Sequence, residues 1–192
     1  PLLLSTKSNS LDPDIPVGVP GKNTTANALL RFWATGESVT YETEYAVFDK
    51  LYHDLLNADR IQSLVIHENR FTYEQGGLHL ICDLGEYWEK KTEAPIPLGG
   101  IVIRRDLGTD VVRQVDGLIR RSVEFAWDNP GKSESFIREH AQETKESVVK
   151  SHIGLYVNDF SAHMGDKGKV AIERLQQLIA PEFDDEKSLF AY

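Results

Sequence analysis

His67 ends the short apolar run Ser63-Leu64-Val65-Ile66, which reads as a buried strand. Strand ends are where α/β proteins place chemistry. An unperturbed imidazole titrates at about 6.5 and can accept a proton near neutral pH. His67 is therefore the first candidate for a general base. The same placement also suits a histidine that only caps the turn after it.

A second chemical element is Val17-Gly18-Val19-Pro20-Gly21-Lys22-Asn23-Thr24-Thr25-Ala26. It reads as a short strand, a Pro-Gly turn and a helix start. Asn23, Thr24 or Thr25 can each cap that helix by offering a side-chain oxygen to its first amides. The open amides and the positive end of the helix dipole attract a carboxylate or phosphate; an ordinary capped helix has the same sequence. A nucleotide-binding loop does not fit, because Pro16 stands where its first glycine is needed and Asn23 where Ser or Thr must follow Gly21-Lys22. Gly131-Lys132-Ser133 fails too, with Ala126 in the glycine position, and reads as a link between helices.

Metal chemistry finds no ligand spacing. His67-Glu68 opens like a zinc motif with two histidines four apart, but position 71 is Phe, and His53, His79, His140, His152 and His163 are scattered. Cys82 is the only cysteine, so no intrachain disulfide forms, in keeping with a reducing cytosol. Its apolar setting suggests a core thiol.

The 192 residues suit one large domain or two small lobes, and 41% hydrophobic residues supply a core. Thirty acidic against 21 basic residues give a formal charge of −9, which argues against nucleic acid or anionic membranes as partners. No run approaches the roughly 18 apolar residues of a membrane span. Leu2-Leu3-Leu4 is too short for a signal peptide. The chain opens at Pro1 inside an apolar strand, as if a longer sequence preceded it.

Positioning these groups requires strands and helices in alternation. Strands are expected at Leu2 to Ser5, Val17 to Val19, Val39 to Glu44, Ser63 to Ile66, Leu80 to Cys82 and Gly100 to Arg104. Helices are expected after Asn23, over Ala46 to Leu56, near Asn69 to Gln75 and over Leu84 to Lys91. From Thr109 the pattern is almost wholly helical, with breaks at Asn129-Pro130-Gly131 and further helices over Ser133 to Gln142, Thr144 to His152 and Lys167 to Ile179. Pro95-Ile96-Pro97-Leu98-Gly99-Gly100 cannot be helical and reads as a hinge or a turn into a strand. The tail carries the acidic cluster Asp184-Asp185-Glu186 and ends in Leu189-Phe190-Ala191-Tyr192.

Four ordered blocks carry a family resemblance: Val19 to Ala26, Leu64-Val65-Ile66-His67-Glu68, Asp83-Leu84-Gly85-Glu86-Tyr87-Trp88-Glu89 leading into Pro95 to Leu107, and His152-Ile153-Gly154-Leu155-Tyr156-Val157-Asn158. In order and spacing the chain resembles the 1,4-dihydroxy-6-naphthoate synthases of the futalosine route to menaquinone. The resemblance implies an α/β fold of the two-lobed type II periplasmic-binding-protein kind, with one lobe incomplete here. Residues 1–12 would then link to the first lobe, 13–82 form the second lobe, and 83–192 return to the first. It also implies a cytoplasmic carbon–carbon lyase that cleaves cyclic dehypoxanthine futalosine to 1,4-dihydroxy-6-naphthoate and dihydroxyacetone, with a small carboxylate substrate and neither metal nor organic cofactor. His67 would be the proton acceptor, and Thr24, Thr25 and Ala26 would bind substrate. If Pro1 to Ser5 and Gly100 to Arg104 are the linking strands, they lack sheet partners within these residues.

Two alternatives share this outline. Chorismate dehydratase has the same fold and pathway, but the Ile-His-Glu block favours the synthase. A solute-binding protein would capture a small acid and would need no base.

Overall fold

The computed structural model describes residues 1–141, 145–181 and 189–190. They divide into two compact units, Pro1–Ile96 and Pro97–Tyr192, and the Pro95-Ile96-Pro97 segment lies at the division, in non-helical backbone. The acidic cluster at 184–186 lies outside the described residues, as do residues 142–144.

The first unit is built on a five-stranded sheet in the order β3-β2-β4-β1-β5. Its strands are β1 (Leu2–Ser5), β2 (Val17–Val19), β3 (Thr43–Tyr45), β4 (Gln62–Val65) and β5 (His79–Asp83). β2 runs parallel to β3 and β4, whereas β1 is antiparallel to both β4 and β5. Leu2 faces Val65 on one side and Asp83 on the other. Hence β2, β3, β4 and β5 all end at one edge, and β1 begins there.

β1 is thus a fully buried interior strand, paired on both sides, not a strand without partners. Its run of leucines explains this, since both faces are covered and no polar alternation is required. Leu2, Leu4, Val65, Leu55 and Leu78 form a core cluster on one face. Alternation sends Leu3 and Leu64 to the other.

Helix α2 (Phe48–Leu56) covers the first of these faces. There Gly18 has no room for a side chain: a Cβ would stand 2.5 Å from Ser63 Oγ and 2.7 Å from Leu51 Cδ2. Helices α1 (Thr25–Gly36) and α3 (Leu84–Thr92) pack together, with Phe32 against Tyr87 and Trp88. Leu29, Leu30 and Trp33 bury the apolar stripe of α1.

Two expected strands differ. Val39 to Glu42 do not join β3, because the backbone closes α1 first: Ser38 N–H donates to Thr35 O and Val39 N–H to Ala34 O at 2.8 Å, with Ser38 left-handed at φ 56°. This is a Schellman closure built on serine where glycine is usual. Gly100 to Arg104 forms no strand; Ile101 and Val102 are 77% and 93% exposed, and β-branched residues alone make no strand without a neighbour to pair with. The expected helix over Asn69 to Gln75 is instead two 3₁₀ segments, His67–Phe71 and Tyr73–Gly76.

The second unit is helical: α4 (Thr109–Asp128), α5 (Pro130–His140), α6 (Glu146–Tyr156), α7 (Asp159–Ala162) and α8 (Gly165–Ile179). Gly131-Lys132-Ser133 lies inside α5, not in a link, since Pro130 at its first position starts a helix readily. α7 has no counterpart among the expected helices; Asn158 and Ser161 form a capping box around its four residues. Lys169 Nζ sits 5.5 Å from the Phe190 ring centre. No helix among the described residues is long and apolar enough to cross a membrane.

Candidate active site

Neighbouring parallel strands run the same way and therefore release the chain at the same edge. β2 leads through the turn at 20–24 into α1, β3 leads into α2, β4 leads to His67, and β5 leads directly into α3. β2 and β4 are neighbours, with Gly18 beside Ser63. After β2 the chain moves outward to β3; after β4 it moves the opposite way to β5. Such a divergence opens a crevice at the strands' carboxyl ends. The Thr-Thr turn follows β2 and His67 follows β4, at that edge.

His67 opens its 3₁₀ segment with φ 61°. Four non-glycine residues among those described take positive φ: Ser38, Ala58, Glu93 and His67. The first three close α1, α2 and α3, a common use of the left-handed conformation. His67 closes no helix. A left-handed non-glycine residue costs on the order of 1–2 kcal/mol and persists where the surroundings over-determine it, often at functional sites. Its ring meets that of Phe48, the first residue of α2, at 5.0 Å between centroids and 64° between planes.

At the start of α1 the structure selects Thr24 as the cap. Its Oγ1 accepts from Asn27 N–H at 3.2 Å and donates to Gly21 O at 2.9 Å. The Asn27 side chain, nearly buried, donates to Lys22 O at 2.8 Å and braces the turn. The Thr25 hydroxyl and the amides of Thr25 and Ala26 have no acceptor or donor among the described residues. Of the two threonine hydroxyls, Thr24's holds the turn, and Thr25's makes no hydrogen bond among the described residues.

A third feature at this edge has no simple sequence signal. Arg70 Nη2 donates to Asp83 Oδ2 at 2.8 Å, while Asp83 Oδ1 accepts from Gly85 N–H at 2.9 Å and Glu86 N–H at 3.2 Å. Asp83 therefore caps α3 and anchors the segment that carries His67. Thirteen residues separate the partners; only the strand pairing of β4, β1 and β5 brings them together.

Cys82 is half-buried, less enclosed than its apolar neighbours suggest. Burial first, and the Asp83 carboxylate second, push its thiol up to about 11, so it is no nucleophile at neutral pH. Against the reference value of 9.0, the thiolate fraction falls roughly a hundredfold. Iodoacetamide should alkylate Cys82 about a hundredfold more slowly in the native protein than in urea at the same pH, as read by mass spectrometry of its peptide. Equal rates would contradict this environment.

The family model for menaquinone biosynthesis matches residues 1–181. The chain belongs to the menaquinone biosynthesis family. Within it, this member is 40% identical over 186 residues to a protein of Streptomyces coelicolor and 42% identical over 159 residues to one of Thermus thermophilus, both named 1,4-dihydroxy-6-naphthoate synthase. These matches take in 95% and 83% of this chain. The chain spans 65% and 57% of those relatives' lengths. A crystal structure of an Archaeoglobus fulgidus protein superposes with a TM-score of 0.81 at 28% identity, over 94% of this chain and 67% of that one.

Proposed function

We propose that the intact protein is a 1,4-dihydroxy-6-naphthoate synthase, a carbon–carbon lyase that converts cyclic dehypoxanthine futalosine to 1,4-dihydroxy-6-naphthoate and dihydroxyacetone, and that His67 is its general base. The observation that carries this reading is the left-handed His67 at the carboxyl end of β4, beside the strand that leads to the open start of α1. The names of the two relatives point the same way. The substrate's carboxylate sits on the Thr25 and Ala26 amides and the Thr25 hydroxyl, where the helix dipole favours negative charge. Thr24 shapes that turn. His67, across the crevice, takes a proton from the carbon framework and starts the elimination.

In the proposed whole, residues 13–82 belong to the second lobe of a two-lobed type II periplasmic-binding-protein-like fold. Residues 1–12 link it to the first lobe, with β1 in the shared sheet, and 83–192 return there, leaving this unit after α3. The enzyme works in the cytoplasm on a free small acid and needs no metal or organic cofactor.

The full-length protein, incubated with cyclic dehypoxanthine futalosine, should release 1,4-dihydroxy-6-naphthoate and dihydroxyacetone in equal amounts by liquid chromatography and mass spectrometry. Binding of the substrate without turnover would instead identify a solute-binding protein. A finer test separates the two threonines. Thr25→Val, nearly the same shape, should weaken substrate affinity by about 1 to 3 kcal/mol, the worth of a hydrogen bond to a charged group. Thr24→Val should also lower stability by about 1 kcal/mol through loss of the cap. Calorimetry showing unchanged affinity for Thr25→Val would remove that hydroxyl from the binding role.

A further inference from the structure

The 3₁₀ segment that begins at His67 is short, strained at its first residue and continuous with a loop. Something outside it must hold it in place. Arg70 lies three residues after His67 in the same short segment, so whatever holds Arg70 also limits the backbone at His67. Arg70 reaches across the start of β1 to Asp83, its guanidinium 2.8 Å from the carboxylate. Asp83 is itself fixed twice, at the end of β5 and as the cap of α3. On the far side of the segment, Thr72 Oγ1 and Tyr52 OH meet at 3.2 Å, joining it to α2.

Resting on the assignment of His67 as the base, we propose that Arg70 and Asp83 are positioning residues: their ion pair keeps the His67 backbone left-handed and thereby aims the imidazole into the crevice. The pair is well placed for this task. Its two side chains are only 25% and 17% exposed, which spares it much of the screening that weakens surface ion pairs. The second carboxylate oxygen is already occupied by the α3 amides, so the aspartate cannot turn away without uncapping that helix. A substrate carboxylate drawn to Arg70 would have to displace Asp83 and leave its charge unpaired.

The test uses the full-length enzyme and the variants Arg70→Gln, Arg70→Lys and Asp83→Asn, each alone and each combined with His67→Asn. Asn remains a good helix cap, so Asp83→Asn removes the partner's charge while keeping α3 closed. Arg70→Gln and Asp83→Asn should lower kcat tenfold to a hundredfold with KM changed less than threefold. Arg70→Lys, which retains one charged hydrogen bond, should recover kcat to within about fivefold of the parent. In the His67→Asn background the same changes should leave the residual turnover as it is, because a group that acts through His67 has nothing left to act on.

Additive losses in the double variants would overturn the proposal, as would a large rise in KM at constant kcat, which would make Arg70 a direct substrate ligand. Full activity in Arg70→Gln and Asp83→Asn would do so too. A His67→Asn enzyme with undiminished turnover is a separate failure: it refutes the base itself, and the positioning role with it.

Discussion

Replacing His67 by Asn in the full-length protein lowers turnover by about a hundredfold to ten-thousandfold, the usual worth of a positioned base, while substrate affinity and fold are retained. The choice of Asn rests on the backbone. His67 sits at φ 61°, and Asn is among the few residues with a side chain that enter this conformation readily. The substitution removes the imidazole without adding strain, so the loss reports on chemistry. A β-branched replacement would confound the two, since it resists positive φ. Turnover measured at saturating substrate, with binding followed by calorimetry, decides the matter. Wild-type turnover in His67→Asn would end the assignment of His67 as the base.

The other large effect concerns the strand that holds the edge together. Leu3 is fully buried in β1, paired to Leu64 of β4 and Cys82 of β5. Truncation to Ala removes three carbons from a site closed on all sides, and such changes cost about 2 to 5 kcal/mol. Urea unfolding should show this as a lower midpoint with unchanged slope. A cost below about 1 kcal/mol would mean that the site collapses around the gap, in conflict with a close-packed interior strand.

Much of the positioning framework is legible from residue order alone. Leu2–Ser5 and Val17–Val19 are strands at the expected limits, because short apolar runs bounded by Ser, Pro and Gly have few other uses. The helix after Asn23 is announced by its stripe of Leu29, Leu30 and Trp33 and its supply of capping oxygens, but residue order leaves Asn23, Thr24 and Thr25 equal in that role. Their hydrogen bonds separate them: Thr24 alone meets both Asn27 N–H and Gly21 O.

Where local pattern and tertiary context compete, context decides. Gly100 to Arg104 has the residues of a strand and no strand beside it, so it stays irregular. Val39 has the right side chain for β3, but its amide is committed to closing α1. β1, expected to lack partners, is flanked by β4 and β5 on both sides, because pairing between distant segments leaves no trace in either one.

His67 shows the division most clearly. Residue type and place at the end of an apolar run mark it as a candidate base, since both are properties of a few consecutive residues. Its left-handed backbone, its contact with Phe48 and the Arg70–Asp83 pair beside it exist only after β2, β4, β1 and β5 assemble and bring their ends to one edge. By itself the sequence determined which groups were available for chemistry and which segments would carry them. The tertiary structure decided which groups come to the same sheet edge and which are hydrogen-bonded there, because strand order, register and backbone strain arise from contacts between residues far apart in the chain.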